Sequence, residues 1–267
     1  MAEHVIYSSP QTYTREDKMA SVIAIPARLE STRFPRKVLC DINGRPMLWH
    51  VWHNVLSSKE ASEVWILTDS EEIQTLASEW GASVVMTSSE CTSGTDRIAE
   101  GIDAFGSDTD IIVNVQADEP LIRSDVIDNL IIALHATNCD IATPVYKILD
   151  PDDLTNPNVV KVVRDNAGLA LYFSRTAIPH IRDADIQDWV YKTQYWGHPG
   201  IYAYRRQSLI NYIGLPEGNL EQVEKLEQLR LLESGKCIQT VEVNYRPLAV
   251  DRPEDLQAVL RVLNDGD

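Results

Sequence analysis

Short apolar runs alternate with amphipathic stretches through the first half of this chain, and that alternation limits the fold more than any other feature. Residues 20–26, 63–68, 83–86 and 110–115 read as strands, and 46–57, 70–80 and 94–105 as the helices between them. This rhythm is a run of βαβ units, which closes as a mostly parallel central sheet flanked by helices on both faces. The helix ends are signed. Pro46 follows Gly44, the acids Asp69, Glu71 and Glu72 suit the positive end of a helix, and Gly81 closes the second helix. After Pro144 the rhythm loosens into strand-like runs at 159–165, 169–174 and 200–205, expected to be antiparallel additions.

The first strand runs straight into a basic loop, VIAIPARLESTRFPRK at 22–37, which carries Arg28, Arg33, Arg36 and Lys37. In a chain of net charge −16, four cations within ten residues mark an anion site. A loop at the C-terminal end of a central parallel strand opens the usual ligand crevice, so the expected ligand is phosphorylated. The competing reading is a solvated loop that offsets some acidic surface. Pro26 and Pro35 stiffen the segment, and Ser31 and Thr32 add hydroxyl donors. Neither of the two common glycine-rich phosphate loops is present, so side chains must hold the phosphates.

A second strand, in IIVNVQADEP at 111–120, delivers Gln116, Asp118 and Glu119 to the same rim. Carboxylates beside a phosphate site repel the ligand unless a cation lies between them, and magnesium fits because it takes one or two carboxylates and fills its shell with phosphate oxygens and water. An acid capping the next helix fits equally well. Asp251, ahead of Arg252-Pro253 and an amphipathic helix, has the same two readings: a cap, or a second strand-end carboxylate completing a magnesium site with Asp118.

Composition narrows the class. With 44% hydrophobic residues in 267 the chain can build a large core, and a pI near 4.7 argues against nucleic acid as partner. No apolar stretch reaches membrane length. Residues 1–19 lack apolar periodicity and are expected to be a loose tail. Cys40, Cys91, Cys139 and Cys237 are too scattered for a zinc or redox motif, so the expected setting is soluble, reducing and cytoplasmic.

The basic loop, SGTDRIAE at 93–100, NVQADEPLI, NPNVVKVV at 156–163, LYFSRTAIP at 171–179, HPGIYAYR at 198–205, EKLEQLRLLESG at 224–235 and VDRPEDL recur in the order that the 3-deoxy-manno-octulosonate cytidylyltransferases show. Over roughly residues 20–262 the chain resembles that family. The resemblance implies a Rossmann-like nucleotide-diphospho-sugar transferase fold in one domain over 20–267. A front half, about 20–140, would bind CTP, and a back half, about 141–267, would bind a sugar acid and form a homodimer. It implies transfer of CMP from CTP to 3-deoxy-D-manno-octulosonate (Kdo), with Mg2+ as cofactor and a product used for lipopolysaccharide or capsule. A related ulosonic acid as substrate, or a catalytically silent nucleotide-binding protein, are the alternatives.

Position by position, the resemblance puts Arg28, Ser31 and Lys37 on the CTP phosphates and nucleotide, and Ser93, Gly94, Thr95 and Arg97 beside the cytidine. It makes Asp118 and Asp251 the metal ligands. It puts the sugar acid against Gln116, Arg175, His198, Tyr202, Glu227 and Gln228, with Gln116 also touching CTP and the Arg175 fork taking the carboxylate. Packing roles for Tyr202 and His198, and a solvated helix for 224–235, are the competing readings. The chain departs from the family at Ala117, Arg36 and Pro199, where glycine, glycine and an aliphatic residue are usual.

Overall fold

A computed structural model describes residues 20–30 and 34–265; the expected tail at 1–19 and Ser31, Thr32 and Arg33 of the basic loop lie outside the described residues. In chain order the strands are β1 (Ala20–Pro26), β2 (Asp41–Ile42), β3 (Arg45–Pro46), β4 (Glu63–Thr68), β5 (Ser83–Met86), β6 (Thr109–Asn114), β7 (Ile141–Ile148), β8 (Val160–Arg164), β9 (Ala170–Ser174), β10 (Tyr195–His198), β11 (Tyr202–Arg205) and β12 (Ile238–Glu242). The helices are α1 (Met47–Val55), α2 (Glu71–Glu79), α3 (Gly94–Glu100), α4 (Ser124–Ala136), α5 (Pro151–Thr155), α6 (Trp189–Lys192), α7 (Arg206–Ile213), α8 (Asn219–Glu224), α9 (Gln228–Glu233) and α10 (Pro253–Asp265).

β1 is apolar from Val22 to Pro26 because both of its faces are covered. Ile23 and Ile25 pack with Leu48 and Val51 of α1 and Ile127 and Leu130 of α4. Val22 and Ala24 point the other way, into a cluster with Ile98 of α3, Leu209 of α7 and Leu229 of α9. Each fully buried isoleucine or leucine contributes about 1.5–3 kcal/mol.

The strand order is β5-β4-β1-β6-β11-β7-β10-β8-β9, with β12 also paired to β7. β5, β4, β1 and β6 are mutually parallel, and β12 is parallel to β7. β8, β9 and β11 lie where the looser sequence pattern predicts antiparallel additions, and β10 is one it does not predict: β11 inserts between β6 and β7, and β10, β8 and β9 extend the sheet beyond β7.

Two expectations change. The predicted helix over 94–105 stops at Glu100, and a 3-10 turn carries Ile102–Phe105. Gly101 is the break, lying so close to β4 that an added Cβ would sit 2.5 Å from Leu67 Cδ2. Cys139 and Cys237, which have no motif in sequence, are joined as a disulfide just ahead of β7 and β12. Parallel pairing of those two strands brings the cysteines together across 98 positions.

Candidate active site

Chain order reverses between β1 and β6, since β4 and β5 lie on one side of β1 and β6 on the other. Ligand crevices of α/β sheets open outside the C-terminal strand ends at such a point. A cleft of about 310 Å3 lies there, with Pro26, Arg28, Lys37, Gln116, Asp118 and Asp251 in its wall.

Lys37 is the centre of its charge. It opens a short 3-10 turn, and its Nζ donates to Asp118 Oδ2 at 2.7 Å and to Asp251 Oδ1 at 3.3 Å. Neither aspartate occupies a helix cap position. α4 starts six residues after Asp118, at Ser124 with Arg123 in the cap position. At α10 it is Asp255 that accepts the backbone N–H groups of Asp251 at 2.9 Å and Arg252 at 2.8 Å. Asp251 is not at a strand end as expected. It belongs to an irregular segment that Val250 N–H ties to the Asp118 carbonyl at 2.9 Å, which brings the two acids together.

Two carboxylates converging on one cation form a donor pair that fits magnesium, with room in its shell for phosphate oxygens and water. Among the described residues no group of three or more His, Cys, Asp or Glu could hold a metal unaided, so an ion here would be shared with a ligand. Glu119, expected at the rim, turns into the core and is 4% exposed. Burial, and then Asp118, push its carboxyl up to about 8, so it holds its proton at neutral pH and adds no charge to the cleft.

The basic loop divides. Arg28 is exposed at the cleft rim. Arg36, read as part of the anion site, instead pairs with Glu72 of α2, with N–O distances of 2.9 and 2.5 Å. Its backbone is left-handed, φ 58°, a conformation that glycine adopts at least cost. Ser31 lies outside the described residues.

Ser93 and Gly94 bring the start of α3 to the cleft. Ser93 Oγ accepts from Asp96 N–H and Asp96 Oδ2 from Ser93 N–H, both at 3.1 Å, in a reciprocal cap. Gly94 lets α3 approach β1 closely: a Cβ there would stand 3.0 Å from Pro26 Cγ, a tight contact. Arg97 is 3% exposed and held by Asp69 at 3.0 Å, an acid whose sequence context suggests only a helix start. Cys91, also in the wall, lies 3.0 Å from Glu100; burial and that carboxylate push its thiol up to about 11, so it is no nucleophile at neutral pH.

Of the residues assigned to the sugar acid, Gln116 and Glu227 reach the cleft. Gln116 Nε2 donates to Asn114 Oδ1 at 3.3 Å and to the Gly200 carbonyl at 3.4 Å, tying β6 to the β10–β11 turn. Glu227 accepts from Thr95 Oγ1 at 3.2 Å and separates this cleft from a second one of about 380 Å3. The residue keeps exposed surface, yet crowding around its carboxyl, and next Asp96 and Glu221, raise its pKa.

The other four stand elsewhere. His198 and Tyr202 are 8% and 9% exposed, with ring centres 5.4 Å apart, in the core behind Gly200. Thr143 gives its hydroxyl proton to the Ile201 carbonyl at 2.7 Å, so His198 must present Nε2–H to Thr143 Oγ1, 2.9 Å away. Burial lowers His198 to about 3 and raises Tyr202 well above its usual range, leaving both neutral. Gln228 is buried, and its Nε2 has no partner among the described residues. The Arg175 fork does not point into the cleft; it is spent on three backbone carbonyls, those of Glu224 (2.7 Å), Pro157 (3.0 Å) and Lys225 (3.1 Å).

Residues 22–238 match the family described as Cytidylyltransferase. The 3-deoxy-manno-octulosonate cytidylyltransferase of Thermodesulfovibrio yellowstonii is 41% identical over 252 residues, covering 92% of this chain and 99% of the relative. The enzyme of the same name from Solibacter usitatus is 46% identical over 239 residues, 89% of this chain and 92% of its own. A solved CMP:2-keto-3-deoxy-manno-octonic acid synthetase complexed with CTP superposes with a TM-score of 0.86 at 38% identity, covering 93% of this chain and all of the other. The chain belongs to the 3-deoxy-manno-octulosonate cytidylyltransferase family.

Proposed function

We propose, from that membership, that the chain transfers CMP from CTP to the anomeric hydroxyl of Kdo and releases pyrophosphate. The observation that carries the reading is the convergence of Asp118 and Asp251 on Lys37 at the switch point of a parallel sheet, beside Arg28. That arrangement suits phosphoryl chemistry, where positioning and charge stabilisation do most of the work. The hydroxyl oxygen bonds to the α-phosphorus as the bond from that phosphorus to the oxygen bridging to the β-phosphate breaks; pyrophosphate departs with the electron pair, and the hydroxyl proton passes to water. Lys37 and Arg28 stabilise the negative charge on the phosphates. Asp118 and Asp251 would hold magnesium, which when bound neutralises phosphate charge and acidifies the attacking hydroxyl. Glu227 and Gln116 face the acceptor sugar, where they read hydroxyl groups by hydrogen bonding.

Pyrophosphate release from CTP and Kdo with magnesium tests the reading, run beside a panel of other ulosonic acids and beside UTP, ATP and GTP. Kdo with CTP is expected to give the highest kcat/KM. A pocket that hydrogen-bonds one base edge leaves groups unpaired with the wrong base. Equal rates with ATP, or no release with Kdo, would overturn it.

A further inference from the structure

Arg175 is tied to the end of α8 through both its side chain and its backbone. Beyond the three carbonyls that its fork satisfies, Arg175 N–H donates to Glu224 Oε2 at 2.9 Å, and Ser174 Oγ donates to Glu224 Oε1 at 2.6 Å. Lys161, wholly buried, donates its Nζ to the carbonyls of Arg175 (2.6 Å), Val159 (2.7 Å) and Asn156 (2.9 Å). Three separate segments, 156–161, 174–175 and 224–225, are thereby knotted at one point.

The knot sits beside a strained residue. Lys225 ends α8 with φ 53° and ψ 50°, a left-handed conformation that a lysine holds only when its surroundings impose it. Two of the Arg175 bonds go to the carbonyls on either side of the Lys225 α-carbon, those of Glu224 and Lys225, so they fix this turn. Leu226 then drops into the core and Glu227 emerges at the cleft wall, 3.2 Å from Thr95.

We propose that Arg175 is a positioning residue: its guanidinium clamps the left-handed turn at Lys225 and thereby sets Glu227 against the acceptor sugar. The inference rests on the reading that Glu227 faces that sugar. It differs from a carboxylate-binding role, because a fork already bonded to three carbonyls has to abandon them before it can grip a substrate.

A double-mutant cycle distinguishes the possibilities, using Arg175→Ala, Arg175→Lys, Glu227→Gln and the Arg175→Ala/Glu227→Gln pair, with KM for Kdo, KM for CTP and Tm measured for each. Arg175→Ala is expected to raise KM for Kdo about tenfold, the scale of a lost charge-assisted hydrogen bond. Its KM for CTP should stay within about twofold on the same argument, and in the Glu227→Gln background Arg175→Ala should add less than about twofold, because its effect passes through Glu227. Glu224→Gln loosens the same knot from the other side and should reproduce the shift in KM for Kdo. If Arg175→Ala does not fold, Arg175→Lys and Glu224→Gln carry the same comparison. Multiplicative losses in the double variant would mean direct contact between Arg175 and the acid, and equal losses for CTP and Kdo with a large fall in Tm would mean a purely structural clamp; either overturns the proposal. Unchanged kinetics in Glu227→Gln alone would instead overturn the placing of Glu227 at the sugar.

Discussion

At the scale of single residues, Lys37 and its two aspartates form one electrostatic unit. Asp118→Asn and Asp251→Asn each remove a charge from the cleft without removing bulk from the core. Each is expected to lower kcat by about a hundredfold or more, the usual cost of losing charge stabilisation of a transition state, while the variants still melt cooperatively. Turnover at saturating magnesium within a few-fold of the parent would remove that residue from the site. His198 makes a different prediction. Below its ordinary value of 6.5 the unfolded chain takes up a proton that the folded histidine refuses until about pH 3, so stability is lost as pH falls through that window. The cost of His198→Gln, measured by urea denaturation, should therefore be about 2 kcal/mol smaller at pH 5 than at pH 7.5, at 1.36 kcal/mol per unit. A cost independent of pH would mean that the folded histidine titrates normally.

Elements decide which cations serve the site. The turn after β1 sends Lys37 inward and Arg36 outward, because Arg36 adopts a left-handed backbone and meets α2. Glycine at this position relieves that conformation and loses an exposed ion pair worth about 0–1 kcal/mol. Arg36→Gly is thus expected to leave stability within about 1 kcal/mol and KM for CTP within about twofold, whereas Arg28→Ala should raise that KM severalfold. Parallel CTP titrations of the two variants check this, and a large loss in Arg36→Gly would return Arg36 to the anion cluster. The start of α3 depends on its reciprocal cap in the same way. Ser93→Ala should cost about 1 kcal/mol of stability in denaturant titration, the usual cost of removing a serine cap.

Over the whole molecule, the sheet separates chemistry from stability. The cleft lies outside the C-terminal ends of β1 and β6, whereas Cys139 and Cys237 precede β7 and β12 at the opposite end. A crosslink spanning 98 positions restrains the unfolded chain and contributes about 4.7 kcal/mol in the loop-entropy account. Thermal melts with and without a thiol reductant should differ by several degrees. The turnover of folded enzyme at low temperature should not change, because the pair lies at the opposite end of the sheet from the cleft. A reductant-dependent kcat at that temperature would contradict this separation.

The sequence by itself determined the features that local pattern controls. β1, β4 and β5 fall within a residue of their predicted bounds because short apolar runs between turn signals, spaced by helical stretches, read as strands of a parallel sheet. The basic loop and the two aspartates were legible as charge out of place, since carboxylates next to a phosphate site demand a cation. What the sequence left open was decided by contacts between distant segments. Whether Asp251 caps α10 or faces Lys37 depends on Asp255 taking the cap and on Val250 bonding the Asp118 carbonyl. Glu119 and Asp118 are neighbours in sequence, yet opposite orientations bury one as a neutral acid and expose the other as a charge. Arg175 matched a carboxylate reader by position alone, and only the folded chain shows three carbonyls already filling its fork. The disulfide likewise needed the parallel register of β7 and β12. Periodicity and composition act over a few residues, whereas the direction of a side chain at a site is set by whatever packs against it from elsewhere in the chain.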